Sequence, residues 1–144
     1  MIQRYLAELL GEKFPDLTWT YSFYSNSDNT GTVYYEGGGK PSTYEGRTRY
    51  PRYMVWLRSS AWAYVESLAN QIQEELHGKG DFIVTVPIFN DQEEKIGEEQ
   101  YHVYLIEAAG EPNSIGVQDN VMEYSINFDV TLTKIRGGTL NGTN

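Results

Sequence analysis

From Met122 to Thr133 the chain alternates without a break: Met122, Tyr124, Ile126, Phe128, Val130 and Leu132 are apolar, and Glu123, Ser125, Asn127, Asp129, Thr131 and Thr133 are polar. Successive side chains of a strand point to opposite faces, so this period of two predicts one long antiparallel strand, oily on one face and wet on the other. At about 3.4 Å per residue such a strand reaches roughly 40–48 Å, far beyond the usual five or six residues. A domain of this length is barely that wide. The strand therefore either crosses the whole body or ends as a projecting hairpin arm.

The rest of the chain reads as a helix, several strands, a second helix and more strands. Ile2, Tyr5, Leu6, Leu9 and Leu10 have helical spacing, so a short amphipathic helix is expected over 2–12, stopped by Gly11 and Pro15. Residues 18–24 alternate as a strand, and 32–36 are expected to be its hairpin partner across a turn-rich segment. The stretch 36–46, EGGGKPSTYEG, reads as a glycine-rich loop. Over 48–58 apolar residues fall on both parities, which predicts a strand covered on both sides. Ser59 or Ser60 is a candidate N-cap for the strongest helix, whose stripe is Ala61, Val65, Leu68, Ala69, Ile72 and Leu76, with Gly78 ending it. Residues 82–89 form the next strand, with Pro87 pushing it toward an edge. The charged loop 91–99 leads into a strand at 101–106, and a loop spans 109–120. The fold expected is α/β (α+β), a mostly antiparallel mixed sheet packed against one long central helix, with a short N-terminal helix. Residues 1–136 read as one domain and 137–144 as a frayed tail.

Composition narrows the function classes. With 144 residues, 40% hydrophobic and 14% aromatic, the chain can build one core but not two. No window approaches a membrane span, and Arg4, Glu8, Glu12 and Lys13 interrupt any apolar signal region, so a cytosolic product is expected. The absence of cysteine excludes disulfides, thiolate catalysis and cysteine-ligated zinc. A net charge of −9 argues against binding to a phosphate backbone or an anionic membrane by bulk electrostatics. The one dense basic cluster is Arg47, Arg49, Arg52 and Arg58, interleaved with Tyr50, Tyr53 and Trp56. It reads either as arginines snorkelling from a strand to nearby carboxylates or as an inter-subunit or lumen-facing patch.

The search for chemistry returns few motifs. Gly37-Gly38-Gly39-Lys40 lacks the spaced first glycine and the Ser or Thr of a phosphate loop, having Tyr34 and Pro41 instead. His77 and His102 have no partners at metal-ligand spacing, and the acidic segment 91–99 lacks the Asp-x-Asp-x-Asp-Gly pattern of a calcium loop. No Gly-x-Ser-x-Gly elbow is present. No catalytic residue, cofactor or metal ligand is therefore expected. Tyr34, Tyr35, Tyr44, Tyr50 and Tyr53 crowd one region, and tyrosine suits both strands and interfaces.

Two stretches carry a family resemblance. Gly31-Thr32-Val33-Tyr34-Tyr35, followed by Arg49-Tyr50-Pro51-Arg52-Tyr53-Met54-Val55-Trp56-Leu57-Arg58-Ser59 running into a helix, resembles the third of the minor capsid protein families of long-tailed bacteriophages. Gly110-Glu111-Pro112-Asn113-Ser114-Ile115-Gly116, then Glu123-Tyr124-Ser125-Ile126-Asn127-Phe128-Asp129-Val130, resembles the carboxyl end of the same family. The resemblance covers about residues 1–136 and carries no catalytic signature. It implies a tail-terminator or tail-completion protein, a homo-oligomeric ring of six subunits at the head-proximal end of the tail tube. Its partners would be the tail tube protein and the head connector protein, with DNA passing through the lumen without specific binding. It would be found in the virion, and in the bacterial host cytoplasm during assembly. A ring needs two different patches per subunit. Arg47, Arg49, Arg52, Tyr34 and Tyr35 are candidates for one, and Glu93, Glu94 and Glu98 for the other. Two other classes remain open: a cytosolic small-ligand-binding α+β domain with Trp56, Tyr124 and Phe128 lining a pocket, and an enzyme built on a carboxylate pair.

Overall fold

The long C-terminal strand is the spine of the molecule. In the computed structural model, which describes residues 1–41 and 47–139, it runs from Val121 to Thr139 and is called β8 here. Before it come α1 (Gln3–Lys13), β1 (Thr18–Tyr21), β2 (Thr30–Gly37), β3 (Thr48–Arg49), β4 (Arg52–Ser59), α2 (Trp62–Leu76), β5 (Phe82–Phe89), β6 (Lys95–Ala108) and β7 (Asn113–Gln118). The sheet order is β1-β2-β4-β8-β6-β5, with β3 and β7 also pairing β8. One edge of β8 takes β4 and then β3, and the other takes β7 and then β6, all antiparallel.

The alternation read from sequence sets the faces of β8. Ile126, Phe128, Val130 and Leu132 are fully or almost fully buried on the side facing the helices. Fully burying each such side chain contributes roughly 1.5–3 kcal/mol. Both options for its length are realised together: β8 crosses the core as far as Leu132, then continues beside residues 97–99 of β6 as a three-stranded arm completed by the end of β5. The strand is paired through Gly137, Gly138 and Thr139, so it extends three residues into the stretch expected to fray. Residues 140–144 lie outside the described part.

Helix α2 lies against β8, β4 and β6 and buries Val65, Leu68, Ala69, Ile72 and Leu76, the expected stripe without Ala61, which is exposed. The sheet dominates, and the expected long helix is a 15-residue element. Helix α1 reaches both terminal strands of the sheet order. Its Gly11 faces the Trp19 ring of β1, and its Tyr5 ring stacks on Phe82 of β5 with 5.6 Å between centroids. One helix can touch both ends only because the sheet is strongly curled. Lys13 of α1 comes within 3.8 Å of Glu75 of α2.

Six expectations need correction, the first being the charged loop over 91–99, which ends at Glu94 because β6 begins at Lys95 and pairs β5 from there. Residues 18–21 and 30–37 pair in parallel, not as a hairpin. An eight-residue connection reaches at most about 26–29 Å, ample to return along a four-residue strand. The strand expected over 48–58 is broken at Tyr50-Pro51, where proline has no N–H to give and its carbonyl instead accepts from Val130 N–H at 2.9 Å. Neither Ser59 nor Ser60 caps α2: the N-cap is Ala61, and the serine hydroxyls bond Asn29 and Asp28. Gly11 lies inside α1, which ends at Lys13. The segment expected as a loop over 109–120 contains β7, joined to β8 by Asp119-Asn120, both left-handed with φ of 52° and 64°. That is the two-residue turn whose twist matches a right-twisted hairpin.

Candidate interaction surfaces

The acidic loop between β5 and β6 is a folded tip. Asn90 organises it: its N–H bonds Glu94 O at 2.9 Å, and its side-chain oxygen accepts the N–H groups of Gln92 and Glu94 at 2.9 and 3.0 Å. Asp91, Glu93 and Glu94 are exposed on this fixed turn. Glu98 stands further down the arm, 2.7 Å from Lys95, beside an open cleft of about 220 Å³ that also touches Arg4 and Glu8 of α1. Where the arm joins the core, Tyr101 donates its hydroxyl to Glu99, and Lys134 reaches the same carboxylate at 3.2 Å. The tyrosine hydrogen bond, aided by Lys134, holds Glu99 below the usual carboxylate range. Burial, with Glu99 alongside, pushes Tyr101 well up.

The basic candidates do not form one patch. Arg49 sits opposite Leu132, which puts it on the helix side of the sheet, where its charge acts on the Met1 ammonium, Tyr53 and Tyr101. Arg52 lies on the outer face and pairs with Asp129 at 3.0 Å, both about half exposed. Arg47 is exposed just before β3. Tyr34 and Tyr35, neighbours on a strand, face opposite ways. Tyr35 meets Tyr53 at 5.5 Å between ring centroids and is 41% exposed, whereas Tyr34 is half-buried on the outer face, its hydroxyl raised by burial. Tyr44 lies outside the described residues.

Arg58, the fourth arginine of the cluster, belongs to a different site. It sits opposite Glu123 across β4 and β8, both at least nine-tenths buried on the face turned away from the helices. Arg58 Nε is 3.4 Å from Glu123 Oε1, so the charges pair, but the N–H misses hydrogen-bond geometry and finds no acceptor among the described residues. Glu123 accepts from Trp56 Nε1 and Tyr24 Oη, each at 3.2 Å, and Arg58 Nη1 donates to Tyr24 Oη at 2.8 Å. The guanidinium lies 5.5 Å from the Tyr24 ring centroid, and the Tyr24 and Trp56 rings meet edge-on. Burial first, then the Glu123 charge, raises the Tyr24 hydroxyl. Sequence reasoning missed this site because Tyr24 sits in a connection and Glu123 lies 65 positions after Arg58. The available signal was the covered outer face of 48–58, which asked for a lid.

The histidines take local roles. His77 Nδ1 accepts from Ala108 N–H at 2.9 Å, and His102 Nε2 lies 2.8 Å from Asp81 Oδ1. Among the described residues no group of three or more His, Cys, Asp or Glu is placed to hold a metal. The pocket expected from Trp56, Tyr124 and Phe128 does not form. Trp56 is on the outer face, opposite Ser125, while Phe128 is 1% exposed in the core on the other side. No family model matches the chain, and no curated protein matches it.

Proposed function

We propose that this chain is a non-catalytic structural subunit of a long-tailed bacteriophage, forming a ring at the head-proximal end of the tail tube that ends tube growth and joins the tail to the head connector. The observation that carries the reading, beside the sequence resemblance, is the fixed acidic tip of the arm. Asn90 holds Asp91, Glu93 and Glu94 in place, so their negative potential is presented without first ordering a loop. A ring closes through two unlike patches, and the two exposed arginines, Arg47 and Arg52, of a neighbouring copy supply the opposite sign. On this reading α2 is the central helix of each subunit, and the arms carry the contacts between subunits and to the tube. A net charge of −9 suits a lumen through which DNA must slide without sticking.

Sedimentation velocity across a wide concentration range, with negative-stain microscopy of the same samples, tests the reading. Closed rings with a central hole are expected. A monomer at every concentration, unchanged when purified tail tubes are added, overturns it.

A further inference from the structure

The connection 22–29 lies across the outer face of the sheet as a strap. It begins and ends at non-glycine residues in the left-handed region, Ser22 at φ 69° and Asn29 at φ 56°. Its end residues stay tied to the flanking strands, Ser22 N–H to Val33 O and Asn29 O to Thr18 N–H, and the hydroxyls of Thr20 and Thr30 bond Phe23 O and Ser27 O; onto the sheet beneath it is fastened at two separate places. In its first half Tyr24 binds Arg58 and Glu123 through its hydroxyl and meets Trp56 with its ring. At its far end Asp28 accepts the Ser60 N–H at 2.7 Å and the Ser60 hydroxyl at 2.5 Å, and Asn29 Oδ1 accepts the Ser59 hydroxyl at 2.6 Å. Ahead of the first fastening Phe23 is 61% exposed.

What the strap covers is poorly satisfied. Closing it takes water from a cation and an anion whose geometry only partly replaces that water, since Arg58 Nε is left without an acceptor. Opening it gives up an edge-on aromatic contact, a cation–π contact, part-buried hydrogen bonds from Tyr24 and Asn29 and exposed ones from Asp28, but rehydrates both charges. Opening therefore costs less than its lost contacts alone would, and less than unfolding, since the β4 and β8 ladder beneath keeps its own bonds.

We propose that residues 22–29 are a hinged strap that opens and closes as one unit, independently of unfolding, uncovering Trp56, Arg58 and Glu123 on the outer face of the sheet. The proposal does not rest on the ring reading. It assigns the chain a second, switchable surface, aromatic and paired-charge in character.

Residue-resolved hydrogen exchange on the full chain tests it by cross-reading the two fastenings. The Ser60 amide reports the far end and the Trp56 indole N–H the near one. Both are expected to exchange at least about tenfold faster than the Val55 and Leu57 amides in the strand beneath, as sub-global opening requires. Tyr24→Phe touches neither Ser60 nor Asp28, yet should speed exchange at Ser60. Asp28→Ala touches neither Trp56 nor Glu123, yet should speed exchange of the Trp56 indole. Val55 should speed by no more than the global stability each variant loses, and both reporters should stay at least about tenfold ahead of it. If each substitution speeds only its own contact, the ends fray separately and the strap is not a unit. If Ser60 and Trp56 exchange at the rate of Val55, with or without the substitutions, they open only in global unfolding, and the proposal falls.

Discussion

Gly31 has no room for a side chain: a Cβ there would sit 2.5 Å from the Trp19 ring, its partner in the parallel pair of β1 and β2. Trp19 cannot easily yield, because its indole N–H bonds Phe14 O at 2.9 Å and its ring packs on Gly11. Gly31→Ala should therefore cost about 1–3 kcal/mol, the usual range for overpacking, seen as a lower urea midpoint at unchanged slope. Tyr53 makes a different demand. It is fully buried, its hydroxyl accepts from Ile2 N–H at 3.1 Å, and burial raises it well above the ordinary tyrosine value of 10.0. Tyr101 is raised in the same way. Both stay protonated in the folded chain above pH 10, where the unfolded chain ionises. Their stabilisation is complete below that pH and falls as pH rises toward the folded values, by about 1.4 kcal/mol per pH unit for each group. Tyr53→Phe should lower stability at neutral pH by roughly 1 kcal/mol through the lost hydrogen bond. The same variant should show a shallower decline above pH 10 in denaturant titrations, and an identical alkaline slope would count against this assignment.

Between β4 and β8, the Arg58–Glu123 pair shows how one element depends on another. Glu123→Leu leaves a guanidinium buried without its counter-charge and should cost about 3–5 kcal/mol, whereas Arg58→Met combined with Glu123→Leu should recover most of that loss. A double variant no better than the single one, by chemical denaturation, would mean that the hydrogen bonds to Tyr24 and Trp56 carry the site. Elements of this kind divide sharply in how far sequence discloses them. The core face of β8 was legible because Ile126, Phe128, Val130 and Leu132 keep period two over a full strand, and the α2 stripe because Val65, Leu68, Ala69, Ile72 and Leu76 keep the helical period. β7 was not legible, since Asn113, Ser114 and Gln118 are polar and its exposed Ile115 and Val117 have no core to pattern against. The parallel pairing of β1 and β2 was hidden for another reason. Turn residues at 25–31 fit a hairpin equally well, and only the left-handed Ser22 and Asn29 let the chain fold back twice. Ser59 and Ser60 looked like caps, but the connection 22–29 claims their hydroxyls, a tertiary demand with no local trace.

For the whole molecule, the acidic tip stands at the turn between β5 and β6, at the end of the arm, while Arg52 stays on the body of the outer face. The candidate residues were thus legible as charge clusters, and period two also separates Arg49 from Arg52, since the two stand three positions apart and keep one register with β8 across the Tyr50-Pro51 break; what had no trace in the sequence was which carboxylates each would meet. The split sharpens the assembly prediction. Arg47 is exposed and Arg52 already has Asp129, an exposed pair contributing about 0–1 kcal/mol, so Arg47→Glu with Arg52→Glu should leave the subunit folded. Glu93→Lys with Glu94→Lys changes only exposed side chains on the Asn90-held turn and should do the same. Each double variant should weaken association, most strongly at low salt, because contacts between exposed charges are screened over about 8–10 Å at moderate ionic strength. Combining all four substitutions swaps the signs on both patches and should restore association, measured by sedimentation of matched samples at low and high salt. Restoration can arise only if the two patches meet across a subunit boundary. If the quadruple variant associates no better than either double variant, the acidic tip and the arginines do not face one another, and the ring, if it forms, is held by other surfaces.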